Sequence, residues 1–375
     1  MTALEKQPGK STIRSLLPYL FIIFIWVAFF WKFFFKGLLP IPTDIVVGMY
    51  YPWLNYKWGY QVGVPVKNPI LSDAVSQFWI WRNWAIQHLK TGKIAIWNPY
   101  ALAGYPLSPW FHTILFSPAN IFYFLFSQSV AMGLIVICQL LISLFSMFSF
   151  LKELLADTLP AIFGAISFSF SAFFIGWLTW GTVSWVLAFL PLILFFVLKI
   201  LKDGYRSSYF LGLIIALLFS LLGGHPQTFF NVCLIFLIFV LFSRGKSFKG
   251  RKITVLLAFI LTMFLAAFVL LPSIEILRRS IRSQEDYISQ VNFGFLPFYK
   301  LVTLLFAPNF FGNPATRNYW GGGFNFQEYL VWFGSGALYL AIYSLFSYFF
   351  QKRKKASLAQ TNQYYPAFVL ILIIG

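Results

Sequence analysis

Long apolar runs separated by short polar segments dominate the chain. A helix needs about 20 apolar residues to cross a bilayer, and stretches of roughly that length recur from one end of the sequence to the other. A last apolar run begins near Tyr365 and stops at Gly375, so we expect the membrane domain to be incomplete at its C-terminus. The pattern predicts membrane-spanning helices near residues 16–36, 129–151, 161–178, 181–200, 209–223, 226–243, 253–272 and 329–350.

The fold class that follows is an all-α polytopic membrane protein, with residues 1–375 forming a single membrane domain. Two apolar stretches, 113–126 and 296–311, are short and contain proline. We expect them to be interfacial or re-entrant, because irregular backbone inside a bilayer must be covered by protein. The same reading leaves two large segments between spans, residues 37–128 and 273–328.

Composition and charge predict how the chain is oriented in the membrane. The chain is 59% hydrophobic and 10% charged, against roughly 25% charged residues in soluble domains. Its net charge of +18 comes from basic clusters that border apolar runs, which indicates cytoplasmic loops and contact with the lipid bilayer rather than nucleic acid. We predict a multi-pass protein of the plasma membrane, with a cytoplasmic N-terminus and residues 37–128 and 273–328 on the extracytoplasmic side. The clusters contain Lys6, Lys10 and Arg14; Lys199, Lys202 and Arg206; Arg244 to Lys252; and Lys352 to Lys355.

Two carboxylates in the first large loop are the candidate catalytic residues. Asp44 follows the proline-rich stretch after the first predicted span, and Asp73 opens a short motif in the same loop. Acidic residues are scarce, 10 in 375, and a carboxylate at a bilayer surface can act as a general base toward a hydroxyl. The alternatives are solvated loop carboxylates or, for Asp73, a helix N-cap.

The pattern after Asp73 predicts an interfacial helix over residues 76–90. Gln77 lies four residues after Asp73, so both side chains fall on one face and can together orient a hydroxyl group. Trp97 and Asn98 then begin a segment rich in aromatics and turn formers, which suits sugar stacking and amide hydrogen bonds. An aromatic belt at the membrane interface is the simpler interpretation of these aromatics.

His225 and Gln227 interrupt an apolar stretch at the predicted external end of two spans. Either side chain can bind a phosphate or a sugar hydroxyl. The alternative is a tight turn between helices. We favour a functional role, because a turn requires glycine and proline but neither histidine nor glutamine.

The second large segment contributes arginines and acids at helical spacing. Arginine matches phosphate bidentately, whereas intrahelical ion pairs are the alternative interpretation. The candidate substrate-binding residues of this segment are Glu275, Arg278, Arg282, Trp320 and Glu328. Elsewhere the sequence contains no Walker A, GxGxxG, HExxH or CxxC motif, so we expect no cofactor and no metal.

Several short motifs follow one another along most of the chain. They are Ser72-Asp73-Ala74-Val75-Ser76-Gln77, Trp97-Asn98-Pro99-Tyr100, Gly104-Tyr105-Pro106, Gly224-His225-Pro226-Gln227, Pro272-Ser273-Ile274-Glu275, Ala307-Pro308-Asn309-Phe310-Phe311-Gly312 and Tyr319-Trp320-Gly321 with Glu328. Taken together and in this order, they resemble the YfhO-like family of bacterial membrane proteins, which is of the GT-C glycosyltransferase type.

The resemblance implies a GT-C-like helical bundle whose large first external loop carries the catalytic acid. It implies transfer of a sugar from a polyprenyl-phosphate donor to a cell-surface glycopolymer or lipid acceptor, with inversion expected for a one-step displacement. Asp44 matches the usual GT-C base position, and Asp73 matches the family's own loop motif; both stay open. A transporter or flippase of lipid-linked sugars is the alternative function, and a non-catalytic scaffold of an envelope assembly complex is another.

Overall fold

The part of the chain that the structure describes is mostly helical, in agreement with the predicted all-α class. This computed structural model describes residues 9–101, 103–107, 114–245, 247–280, 283, 297–321, 326–351 and 364. Arg282 and the run after Tyr365 lie outside these residues. The α-helices are α1 (Gly9–Phe29), α2 (Trp31–Lys36), α3 (Thr43–Met49), α4 (Trp79–Lys90), α5 (Ile121–Leu125), α6 (Gln128–Leu155), α7 (Thr158–Ser169), α8 (Ala172–Gly176), α9 (Val183–Asp203), α10 (Ser207–Leu221), α11 (Pro226–Phe242), α12 (Phe248–Leu265), α13 (Ala267–Arg279), α14 (Phe298–Phe306) and α15 (Ser335–Gln351).

Shorter elements connect these helices. A π-helical turn, Ala74–Phe78, runs directly into α4. Strands β1 (Trp97–Asn98) and β2 (Tyr105–Pro106) form an antiparallel ribbon. The 3-10 helices are Trp53–Gly59, Pro69–Leu71, Pro118–Asn120, Leu178–Trp180, Pro314–Thr316 and Phe326–Tyr329.

Helices α6 and α9 form the centre of the bundle. Both are apolar around most of their circumference, as expected for helices that neighbours cover on several sides. Ile193, Val197 and Leu201 of α9 are fully buried, and the core that they share includes side chains of α6, α10, α11 and α12. The segments at the two ends of α6 and α9 are therefore positioned by this central pair of helices.

Two of the described helices, α6 and α9, are long and apolar enough to cross a membrane. Helices α12 and α13 would add a third crossing if they form one span, although they meet at a bend of 68°. The predicted spans near 16–36, 161–178, 209–223, 226–243 and 329–350 fall on shorter apolar helices. The structure therefore supports membrane-compatible helices and leaves the complete multi-pass topology as a proposal.

The C-terminal ends of α6 and α9 meet in a charged cluster, which we call the basic end. Glu153 of α6 lies 3.3 Å from the Lys199 ammonium and 3.2 Å from that of Lys202. Arg251, at the start of α12, donates to the main-chain carbonyls of Leu201 at 2.8 Å and Lys202 at 2.6 Å. Cationic side chains near helix C-termini donate hydrogen bonds to the last carbonyl groups and are attracted to the negative end of the helix dipole.

The first large loop packs against the opposite, N-terminal ends of α6 and α9, which we call the loop end. Ala74 and Phe78 of the π-helical turn share a small core with Met132 of α6 and with Trp180. The loop is thus a folded structure with helices of its own, and it packs on α6 and on the segment that leads into α9.

Candidate functional site

Asp44 is held by the backbone of its own loop. It lies in the first turn of α3, where a negative charge is stabilised by the helix dipole. Its Oδ2 accepts a hydrogen bond from the Lys67 main-chain N–H at 2.9 Å, and the residue is half-buried. A carboxylate oriented in this way retains its second oxygen for a substrate proton.

Asp73 is exposed and pairs with the residue expected from the sequence. The Gln77 side-chain amide donates to Asp73 Oδ1 at 3.0 Å, so the predicted contact between the two is present. Asp73 occupies the N-cap position of the π-helical turn, as the alternative interpretation expected, but its side chain makes no capping hydrogen bond there. The predicted helix over 76–90 is present and begins two residues earlier, at Ala74, with its first turn π-helical.

The two acids lie on adjoining elements. Ile45, which follows Asp44, packs with Val66 and with Val75 of the π-helical turn in one buried cluster. Because Asp44 directly precedes Ile45 and Asp73 lies two residues before Val75, this small core holds the backbone close to both acids. The structure therefore places both candidate bases on the same part of the loop end.

Arg317 is a residue of this region that the sequence did not single out. It follows the 3-10 helix Pro314–Thr316, and its Nη2 donates to the main-chain carbonyl of Val66 at 3.1 Å. Val66 is followed by Lys67, whose main-chain N–H donates to Asp44. The second large segment thus brings an exposed guanidinium next to the acid-bearing loop, a contact across 251 positions that no local pattern reveals.

Arg82 is the second residue that the sequence analysis missed. It is 1% exposed, its Nη2 donates to the Trp180 carbonyl at 2.5 Å, and its guanidinium lies over the Phe78 ring. Burial lowers the pKa of Arg82, which the Tyr123 hydroxyl partly offsets. Arg82 lies four residues after Phe78, which places it on the apolar face of the predicted helix. A charged residue on that face was the sequence signal that indicated a buried arginine.

His225 has a structural role at the loop end. It is the N-cap of α11, and its Nδ1 accepts from the Thr228 main-chain N–H at 3.2 Å. The argument that this turn has no use for a histidine is therefore wrong. Burial lowers the pKa of His225 to about 4, so the side chain is neutral near pH 7 and cannot supply positive charge to a phosphate. Its ring lies 6.3 Å from that of Trp177.

Several buried polar atoms gather around the junction between α7 and α9, residues 170–182. Gln327 is 2% exposed and its Oε1 has no hydrogen-bond partner among the described residues. The same holds for the indole N–H groups of Trp177 and Trp332 and for Nε and Nη1 of Arg82. Buried polar groups are normally satisfied by protein, water or ligand, so these atoms are positions at which the junction can bind water.

Trp97 and Asn98 form β1, and their ribbon presents an aromatic surface. The Trp97 side chain is 52% exposed, whereas Asn98 is buried, with its amide donating to the Tyr105 hydroxyl at 3.0 Å. A Cβ at Gly104 would lie 2.6 Å from the Trp97 ring. The backbone at Gly104 therefore supports the indole from one side, and about half of the side chain stays exposed among the described residues.

The candidates of the second large segment are dispersed. Glu275 accepts from Arg279 Nε at 2.6 Å on the exposed surface of α13, which is the intrahelical ion pair of the alternative interpretation. Arg278 is exposed on the same helix. The remaining candidates of the loop end, Trp320, Glu328 and Gln227, are all exposed, and the Trp320 ring packs against those of Phe310 and Phe311.

Among the described residues, no group of three or more histidine, cysteine, aspartate or glutamate side chains is arranged to hold a metal ion. Comparisons of the chain with family models, with curated proteins and with solved structures find no match. The resemblance to the YfhO-like family consequently rests on the sequence motifs alone.

Proposed function

We propose that the chain is a multi-pass membrane glycosyltransferase of the GT-C type, related to the YfhO-like proteins. It would transfer a sugar from a polyprenyl-phosphate donor to a glycopolymer or lipid on the extracytoplasmic face. The observation that carries the proposal is the joint placement of Asp44 and Asp73 at the loop end, beside an arginine from the second large segment. The basic end, with Glu153, Lys199 and Lys202, lies at the other ends of the same two helices.

Asp44 is the general base of this proposal. The Lys67 N–H fixes its orientation, and its half-buried position limits competition from water. Asp73 and Gln77, exposed and joined to each other, orient the acceptor. General bases typically contribute 10²- to 10⁴-fold to a rate, whereas a residue that orients the acceptor contributes less.

The reaction is a single displacement. The acceptor hydroxyl transfers its proton to Asp44 while its oxygen bonds to the anomeric carbon of the donor sugar. The bond from that carbon to the phosphate oxygen breaks, and its electron pair leaves with the lipid phosphate. Attack on the face opposite the leaving group inverts the anomeric configuration.

Arg317 is the cation that we assign to the leaving phosphate. Its Nη2 donates to the Val66 carbonyl, and the exposed guanidinium has further N–H donors for phosphate oxygens. We do not assign His225 to the charge-balancing role, because its Nδ1 caps α11 and burial lowers its pKa to about 4. Trp97 and Trp320, both exposed, are the stacking surfaces for sugar rings.

The test is sugar transfer by the full chain in proteoliposomes supplied with polyprenyl-phosphate-linked sugars. We expect a product that depends on the donor and whose anomeric configuration is inverted. A chain that yields no product from any donor, in membranes that contain the acceptor, would contradict the proposal and favour the scaffold function.

A transporter of lipid-linked sugars is the second candidate, and one observation favours it. Helices α12 and α13 meet at a 68° bend, and α7 is followed by a short helix and an irregular junction before α9. Broken helices are typical of transporters. Translocation of a lipid-linked sugar across proteoliposomes without any transfer would support this function over the enzyme.

A further inference from the structure

A polar pocket lies along the face of α4 that carries its amides. Its volume is about 210 Å³, and it lies between α4 and the corner where α5 leads into α6. Asn83, Gln87 and Lys90 of α4 lie on one face of the helix by their spacing. The lining consists of Asn83, Ile86, Gln87, Lys90, Tyr123, Phe126, Ser127 and Gln128.

The electrostatics of the pocket favour an anion. Lys90 has no ion-pair partner in the described part of the chain, and the lining residues include no carboxylate. Ser127 and Gln128 form the start of α6, a helix of 28 residues whose N-cap makes no side-chain hydrogen bond to it. The first N–H groups of such a helix carry partial positive charge. Buried Arg82, whose surroundings include Tyr123, adds a cation behind the lining.

The polar lining adjoins an exposed apolar surface, which indicates where such an anion comes from. Ile121, Phe124, Leu125 and Phe126 are between 47% and 67% exposed. Polar donors beside an exposed apolar strip match a lipid, whose headgroup and acyl chains need those two environments. A free anion would gain nothing from the apolar strip.

We propose that this pocket binds the phosphate headgroup of an anionic phospholipid, with the acyl chains lying over the exposed side of α5. Lys90 and the N-terminus of α6 hold the phosphate, and Asn83 and Gln87 hold the hydroxyls of the headgroup. Asp73 and Lys90 are 17 positions apart along a nearly continuous helix, about 25 Å at 1.5 Å per residue. The pocket is therefore separate from the acids of the proposed transferase, and it does not depend on that function.

The test is native mass spectrometry of the detergent-purified full chain, titrated with phosphatidylglycerol. We compare wild type with Lys90→Gln and with Lys93→Gln, which removes the same charge from an exposed lysine outside the pocket. A lysine near a lipid surface contributes about 1 kcal/mol, which is about fivefold in affinity. We therefore expect Lys90→Gln to weaken phosphatidylglycerol binding about fivefold and Lys93→Gln to leave it unchanged.

Three outcomes would overturn the proposal. Equal weakening by both lysine variants would indicate general surface attraction. Displacement of the lipid by millimolar inorganic phosphate would make a free anion the ligand. No retention of phosphatidylglycerol above the level of phosphatidylcholine would show that no anionic site exists. If Lys90→Gln melts at a lower temperature than wild type, Gln87→Leu replaces it, and the same weakening is expected.

Discussion

At the scale of single residues, the proposed chemistry depends on which charged side chains are available at the loop end. His225 and Glu275 looked equivalent to other candidates in the sequence, but burial keeps the first neutral and the second pairs with Arg279. Arg317 and Arg82 acquire their positions only through partners that are far away in the chain. Residue type and spacing therefore indicated the chemistry of this end, and long-range packing determined which side chains can perform it.

Arg317 and Arg278 provide a matched comparison. We expect Arg317→Gln to reduce the rate of sugar transfer about tenfold or more, because donors aimed at developing charge contribute on that scale or above. Arg278→Gln removes an exposed arginine from α13 and should have little effect. Initial rates at saturating donor measure both, with melting temperature as the control for folding. A larger effect of Arg278→Gln would reverse the assignment of the phosphate partner.

His225 makes the stability of the protein dependent on pH. Its pKa falls from 6.5 to about 4 on folding because burial disfavours the charged form. The unfolded state therefore binds the proton more readily, so the stabilisation is complete above pH 6.5 and is lost as the pH falls from about 6.5 to about 4. Melting temperatures in detergent across this range measure the loss.

His225→Asn is the control for that effect, because asparagine caps helices well and does not titrate. We expect its melting temperature to fall less than that of wild type between pH 6.5 and pH 4. Parallel curves for the two proteins would contradict the role assigned to His225.

At the scale of elements, local patterns predicted what local interactions determine. The helix after Asp73 and the Asp73–Gln77 contact span few residues, and both are present. The break after α7 and the 68° bend between α12 and α13 were not predicted. The sequence is apolar on both sides of such a break. Hydrophobicity indicates which residues are buried, but it does not indicate where the helix axis bends.

The ribbon that carries Trp97 offers a test with a matched pair of glycines. Gly104 and Gly92 both have positive φ, but a Cβ would meet the Trp97 ring only at Gly104, whereas Gly92 faces open space. Gly92→Ala should cost about 1–2 kcal/mol for the left-handed backbone alone. Gly104→Ala should cost more and should displace Trp97.

Hydrogen exchange of the backbone around residues 97–107 measures the effect locally. We expect faster exchange in Gly104→Ala than in Gly92→Ala, together with weaker use of the sugar donor. Equal exchange in the two variants would mean that Gly104 does not support the indole.

At the scale of the whole molecule, the proposed function requires the loop end and the basic end to face opposite sides of a membrane. Val62 in the first loop is 93% exposed, and Tyr205, next to the basic end, is 64% exposed. In a chain with Cys138 and Cys233 replaced by alanine, we expect Val62→Cys to react with an impermeant thiol reagent in intact cells and Tyr205→Cys to react only after permeabilisation. Labelling of both or only of Tyr205→Cys in intact cells would contradict the orientation.

The central claim is that a carboxylate of the loop end activates the acceptor. The most direct measurement is the rate of sugar transfer by Asp44→Asn and Asp73→Asn, with Asp157→Asn as the control. Asp157 caps α7, a function that asparagine preserves.

We predict that Asp44→Asn loses at least about 100-fold in rate, in the range of general-base catalysis, and that Asp73→Asn loses about tenfold. Asp157→Asn should match wild type. A rate that Asp44→Asn and Asp73→Asn leave unchanged, in protein that folds normally, would contradict the account.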